Sequence, residues 1–430
     1  RIISFSFAIP VFAVFSPQVF GRPADARTGT MSNHLPIGLG SMESCDQEMR
    51  PKHILFLLLG LLGWSGATFA RSPNTGLGPL ELRTHYPLTH QFLAVHPESP
   101  ETLPRGTARL TYGYATANSF YNTQASSKQI TTTELNRGLA ISDFLDENGN
   151  TVRGFSLYLD VETQRHTLAW RYGLTDSLEL SLRMPFLTFD GGFMDPYIES
   201  FHDMIGVSNS KIEGGWRDYS PRDTYAFYVV KDGTFLYASE ETFANVAGEP
   251  SAGLKWNFTK GGELIPAISL KLEYKVGNTD RTGIKQFIRS GGNDWGHYLL
   301  FSKGFGSWLA YFGDGTTRID KNNGLASYLR HRFIALEHRW SEDFSLVYQQ
   351  MSQTSVFPKT SATLRVQEAN VVGVQQQRNF ALTIPTSVIA MGAKMRWGTQ
   401  LHWDVGFIQD YSNFQNETDF VLFTELGWQW

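Results

Sequence analysis

Hydrophobic and polar residues alternate with a period of two through most of the chain. Leu168, Trp170 and Tyr172 are separated by Ala169 and Arg171, and Leu178, Leu180, Leu182 and Met184 by Glu179, Ser181 and Arg183. Side chains at i and i+2 share a face of a strand, so each run has one apolar and one polar face. The link at 174–177 (LTDS) is short, and the two runs read as a hairpin. The same pattern returns at Ala252, Leu254, Trp256 and Phe258, at alternate positions over 266–276, and at Leu401, Trp403, Val405 and Phe407. It ends on Phe420, Leu422, Thr424, Leu426, Trp428 and Trp430.

Repeated half-polar strands suit either a soluble sandwich with a dry core or a membrane barrel that is apolar outside. Runs of about ten residues match tilted strands crossing a bilayer, whereas sandwich strands cluster near five or six. Arg171, Arg183, Lys271, Glu273 and Lys275 share the polar face, where a dry core would not hold them but a wet lumen would. Aromatic residues near strand ends, such as Tyr172, Trp256, Trp397 and Trp403, suit interfacial girdles. The expected fold is all-β: a transmembrane antiparallel barrel of about 14 strands, within a range of 12–16.

Connections alternate in length. Short ones fall at 174–177, 231–233, 259–263, 304–306, 341–343 and 398–399, and long ones at 190–223, 277–294, 313–324, 355–385 and 410–418. Short turns of bacterial barrels face the periplasm and long loops face outward. The count takes 107–116 as the first strand, one ending at Leu174, and twelve more; 118–164 is its weakest stretch. One long, outward loop carries a helix signal. Asp195 before Pro196 is an N-cap ahead of a preset φ, and Ile198, Phe201 and Ile205 form a stripe, with His202 on the same helix. Such a helix packs against the rim or folds inward to narrow the pore.

The N-terminus has a different character. Residues 1–48 show no sustained period and read as upstream or non-native leader. Met49-Arg50-Pro51-Lys52, the apolar 54–64 and the small-residue exit 66–70 have the order of a secretory signal peptide, cleaved after Ala70. Residues 71–106 are expected to form a periplasmic segment before a barrel over 107–430. The one cysteine, Cys45, precedes the mature chain. The location implied is the outer membrane of a Gram-negative bacterium.

Charge changes the picture inside the barrel. With the five basic and four acidic residues of the first 70 removed, 32 basic face 37 acidic, and no basic run suggests nucleic acid. Yet Arg109, Arg171, Arg183, Lys255, Lys271, Lys275, Lys394 and Arg396 phase inward, against Glu179, Glu273, Asp404 and Glu425. A basic inner wall attracts anions; equally, these charges pair across neighbouring strands. Catalytic motifs are absent: there is no Gly-x-Ser-x-Gly, Walker or dinucleotide loop. His85, His90 and His96 are spaced by five and six, which gives no common face for a metal. Neither metal nor cofactor is expected.

Several stretches resemble a family of proteobacterial proteins known only as a domain of unknown function and expected to be outer-membrane barrels. They are Gly78-Pro79-Leu80, Pro87-Leu88, 103–106 (LPRG), 170–185 (WRYGLTDSLELSLRMP) and 191–206 (GGFMDPYIESFHDMIG), with Arg217-Asp218 and 221–223 following. The resemblance implies fold and location and carries no activity or ligand. The implied partners are outer-membrane lipids and lipopolysaccharide, and, through the terminal Trp430 run, periplasmic chaperones and the barrel-assembly machinery. Three functions fit: a passive pore or small-solute transporter with a mildly basic lumen, a closed structural or adhesive barrel, or a lipid-modifying enzyme, the last expected least.

Overall fold

A computed structural model describes residues 76–122, 137–151, 155–205, 221–358, 365–367, 379–381, 383–410, 418 and 420–430. The leader and signal-peptide expectations lie outside these residues. The strands are β1 Ala108–Asn122, β2 Phe155–Thr175, β3 Leu178–Asp190, β4 Ala226–Lys231, β5 Thr234–Ser239, β6 Phe243–Ala247, β7 Ser251–Lys260, β8 Ala267–Lys275 and β9 Trp295–Phe305. Then follow β10 Trp308–Arg318, β11 Tyr328–Arg339, β12 Phe344–Gln353, β13 Arg365–Gln367, β14 Asn379–Ala381, β15 Thr386–Trp397, β16 Leu401–Asp410 and β17 Phe420–Gln429. The α-helix of the described residues, α1, spans Asp195–Ile205.

Twelve strands close into an antiparallel barrel in the order β1, β2, β3, β7, β8, β9, β10, β11, β12, β15, β16, β17 and back to β1. Closure leaves this ring with no edge to aggregate. The seam pairs Arg109 with Gln429 through Asn118 with Phe420. Trp430 finishes it, exchanging both backbone hydrogen bonds with Ala108 at 2.9 and 3.0 Å. The period-two pattern is what closes the cylinder, because each strand turns its apolar set outward. Leu110, Leu182, Leu254, Leu272, Phe312 and Ile334 are all exposed on that face. Trp256, Trp340, Trp397, Trp428 and Trp430 gather near the end where the strands are joined by short turns. An apolar band of this kind, bordered by aromatic rings, is the surface a bilayer solvates.

Two strands of the expected fourteen do not belong to the ring. β4 and β5, at six residues each, are too short to cross, and the turn at 231–233 lies at the long-loop end. β4 pairs with the upper part of β2, Phe155 opposite Lys231 through Asp160 opposite Ala226. Its residues are buried on both faces: Phe227 and Val229 on one side, Tyr228 and Val230 on the other. The surplus comes from taking the short link at 231–233 as a barrel turn: 226–230 is an unbroken apolar run, which suits a hairpin strand covered on both sides.

The helix signal at 195 and 196 coincides with α1. Asp195 accepts from Asn118 Nδ2 at 2.7 Å and Asp223 N at 2.9 Å, and Glu162 accepts from Phe193 N and Met194 N at 2.8 and 2.9 Å. Asn118 and Glu162 share the outward face of β1 and β2, so the first turn of the helix stands outside the rim and does not fold into the lumen. The side chains of Phe201, His202 and Ile205 lie outside the described residues.

The lumen is occupied. Residues 76–106, expected in the periplasm, run into the barrel from the short-turn end, bend near a single 3-10 turn at Pro87–Thr89, and return to the same end. On the way up Gly78 N meets Glu337 (3.1 Å) and Leu80 N meets Gln349 (3.0 Å). At the bend Gln91 meets Tyr237 (2.9 Å). On the way down Leu93 N meets Asp294 (3.0 Å) and Asn257 meets Pro100 O (3.0 Å). The segment leaves past Gly173, where a Cβ would lie 2.2 Å from Pro104 O. Glycine is needed there because the two backbones touch. The reason it sits inside is compositional: Leu80, Leu82, Tyr86, Leu88, Phe92, Leu93 and Val95 would otherwise face water, and all are buried.

Candidate functional site

The interface between this plug and the barrel wall has a polar and an apolar side. On the apolar side, Leu80, Leu82 and Val95 pack with Tyr298, Leu309, Tyr311, Phe333, Val347 and Val388. Gly315 makes room for the Tyr298 ring, since a Cβ there would stand 1.8 Å from it. Above, Tyr86, Leu88 and Phe92 join Phe189, Phe227, Tyr237, Phe287 and Phe357 in a core that caps the loop end. The wall is thus far less uniformly polar than the strand phases suggested.

The polar side is built from β2, β3, β7 and β8, whose inward positions converge on one carboxylate of the plug. Glu98 meets Arg183 at 2.8 Å, Arg171 at 3.3 Å, Lys255 at 3.4 Å, and Lys271. Glu81 joins Arg171 and, at 3.1 Å, Arg183. Burial would raise the Glu98 carboxyl, but Arg171, Lys271, Lys255 and Arg183 hold it well below the usual carboxylate range. For Glu81, too, burial works upward and Arg171 and Arg183 bring the net shift downward.

The remaining positions of the inner wall find partners of their own. Glu179 meets Lys255 at 3.2 Å and accepts from Leu103 N at 2.8 Å, and Glu273 meets Arg183 at 3.3 Å and Lys271 at 3.5 Å. Lys275 lies between Glu249 and Asp294, 2.9 Å from the latter, and also donates to Gln91 O at 2.8 Å. Lys394 pairs with Asp404 and donates to Pro79 O at 3.2 Å; Arg396 meets Asp343 at 2.7 Å, near a turn. Arg109 bonds Gln429 at 2.6 Å. Glu425 stands beside Gly113, where a Cβ would come 3.7 Å from its carboxylate. The basic excess read from the strands is therefore cancelled by acids the strands do not carry: Glu81 and Glu98 in the plug, and Glu249, Asp294 and Asp343 in connections. Among the described residues these pairings leave no positively charged channel of the kind the strand phases implied.

Four groups at the site have no counterpart among the expected lining residues: Glu81, Glu98, Arg83 and Arg165. Arg83 donates to Thr89 O at 2.7 Å and ties the bend together. His85, His90 and His96 are all buried, and burial first, then neighbouring arginines, keeps each imidazole well below its ordinary value. Among the described residues no group of three His, Cys, Asp or Glu is placed to hold a metal.

Solved structures share the barrel in outline. The COG4313 outer membrane channel from Pseudomonas putida F1 superposes with a TM-score of 0.44 at 9% identity, covering 78% of this chain and 100% of its own. The P. putida toluene transporter TodX gives 0.31 at 8%, over 81% and 98%. LpxR from Salmonella typhimurium gives 0.32 at 9%, over 74% and 99%. Likeness this distant leaves function to be argued from the chain's own residues. No curated protein matches the sequence. The family model that does match, over residues 152–430, is that of the proteins of unknown function called DUF3187, and the chain belongs to that family.

Proposed function

We propose that the protein spans the outer membrane and acts as a plugged channel for small solutes, closed at rest by residues 76–106. The observation that carries this reading is the form of the plug: a U-shaped segment anchored at one end of the barrel, whose removal breaks none of the twelve-strand ladder. Behind it lies a wall of Arg, Lys and Glu that is a fit lining for water once uncovered. The outward apolar band supports contact with outer-membrane lipids, lipopolysaccharide included. The terminal Phe420-to-Trp430 run is offered to chaperones and the barrel-assembly machinery.

A lock tests the reading. A Cβ at Gly296 of β9 would lie 2.7 Å from Val95 Cγ2 in the plug, close enough for a disulfide between Val95→Cys and Gly296→Cys. The chain from Arg71 has no other cysteine. In a planar bilayer the reduced variant is expected to show conductance steps that vanish on oxidation. A second reading, a closed structural barrel, is favoured by the pairing of lumen charges; conductance absent in both redox states would establish it against the channel.

A further inference from the structure

One arginine of β2 lacks the carboxylates that its neighbours on the wall hold. Arg165, on the inward face of β2, is 7% exposed, and its one side-chain hydrogen bond among the described residues is to His90 Nδ1 at 3.5 Å. No carboxylate among the described residues pairs with it, while Arg171 and Arg183 on the same wall each hold two or more. Arg83 stands near: both guanidinium groups act on the His85 and His90 rings. Among the described residues Arg83 itself is bonded only to backbone carbonyls, of Thr84, Thr89 and Phe92. The surrounding imidazoles add donors, and the His85 Nδ1 atom is buried with no partner among the described residues. A buried ion without a counter-charge costs several kcal/mol, so such groups are ordinarily paired.

Beside this cluster the plug and wall do not close fully. A cavity of about 60 Å³ is lined by Arg83, His85, His96, Arg165 and Arg183, with Thr111 and Thr167 among the small residues that leave it open. A water needs roughly 10–15 Å³ on such a measure; the space is that of a few waters or one small ion. Glu81 and Glu425 also line it, but Glu81 is already taken up by Arg171 and Arg183.

We infer that this cavity is a binding site for one small inorganic anion, held by the Arg165 and Arg83 guanidinium groups and the His85 and His96 rings. Guanidinium forks suit oxyanions, to which they donate in pairs. The anion supplies the charge that Arg165 lacks, and fastens the plug to β2 beyond the Arg171 ion pairs. The site stands whether or not the barrel conducts.

The test uses the full chain from Arg71, folded in detergent, with inorganic phosphate, sulfate and chloride titrated in turn at an ionic strength held constant with gluconate. The unfolding midpoint is expected to rise with at least one of the three, saturating as a single site does. Arg165→Gln should weaken that response tenfold or more, and Thr167→Leu, which fills the cavity and keeps the guanidinium, should abolish it. Arg330→Gln, on the outer face, should leave it intact. A midpoint that ignores all three anions in the unaltered protein, or a response unchanged in Thr167→Leu, overturns the proposal.

Discussion

At the scale of single residues, Glu98 is the centre of the plug's seat. Removing one partner from a buried ionic cluster leaves charges stranded, at a cost of about 3–5 kcal/mol. Glu98→Gln, which strands part of the charge on Arg171, Arg183, Lys255 and Lys271, should lower unfolding stability by that order; a loss under about 1 kcal/mol would mean that Glu81, Glu179 and Glu273 suffice. The histidines set a separate dependence. His85, His90 and His96 are buried neutral, with values depressed from 6.5, so the seated plug binds fewer protons than a released one. Their stabilisation is complete above about pH 6.5 and declines as pH falls, by up to about 1.4 kcal/mol per pH unit for each. Hydrogen-exchange protection of 85–96 between pH 7.5 and 5, corrected for the intrinsic pH dependence of amide exchange, reads this. Much of this was out of reach of periodicity. The inward parity of Arg171, Lys255 and Lys271 was legible because they sit in alternating runs. Glu81 and Glu98 were not, because their stretch has no period; the available clue was a supposedly solvated segment holding Leu80, Leu82, Phe92, Leu93 and Val95. Arg165 has the same parity as Arg171 but follows Val161, Glu162 and Thr163, where the alternation fails.

At the scale of elements, strand length separates what crosses from what covers. β4 and β5 are joined by a short link like the barrel hairpins, yet they finish a lid over the loop end, with Phe227 and Tyr237 packed on Phe287 at ring-centroid distances of 5.0 and 5.6 Å. Phe227→Ala should remove about 3–5 kcal/mol from this cap. Because β4 pairs only with the upper part of β2, the loss should be local: faster hydrogen exchange at 155–160 and 86–92, with the β1–β17 seam unchanged. Global melting at the same rate everywhere would show that lid and barrel are one cooperative unit. The sequence contained the lid's residues but not their partner, since pairing with an overlong strand such as β2 is a tertiary fact that no local pattern encodes.

At the scale of the whole molecule, the closed antiparallel barrel was legible from strand period, run length and the aromatic tail, whereas its contents were not. An outward band facing lipid leaves a strong mark on composition; a segment folded into a cavity leaves almost none, because it needs neither strand nor helix to satisfy its backbone when the wall supplies partners such as Glu337, Gln349 and Asp294. The return of the plug to the rim where it began bears on how the molecule is made. A segment passing in at one rim and out at the other would have to be laid down before β1 and β17 met, so that a mistake at the seam would be permanent. A bight pushed in from one side obeys no such order. The cylinder is free to close first and receive its stopper afterwards, and to expel a badly seated one and try again without reopening a single strand.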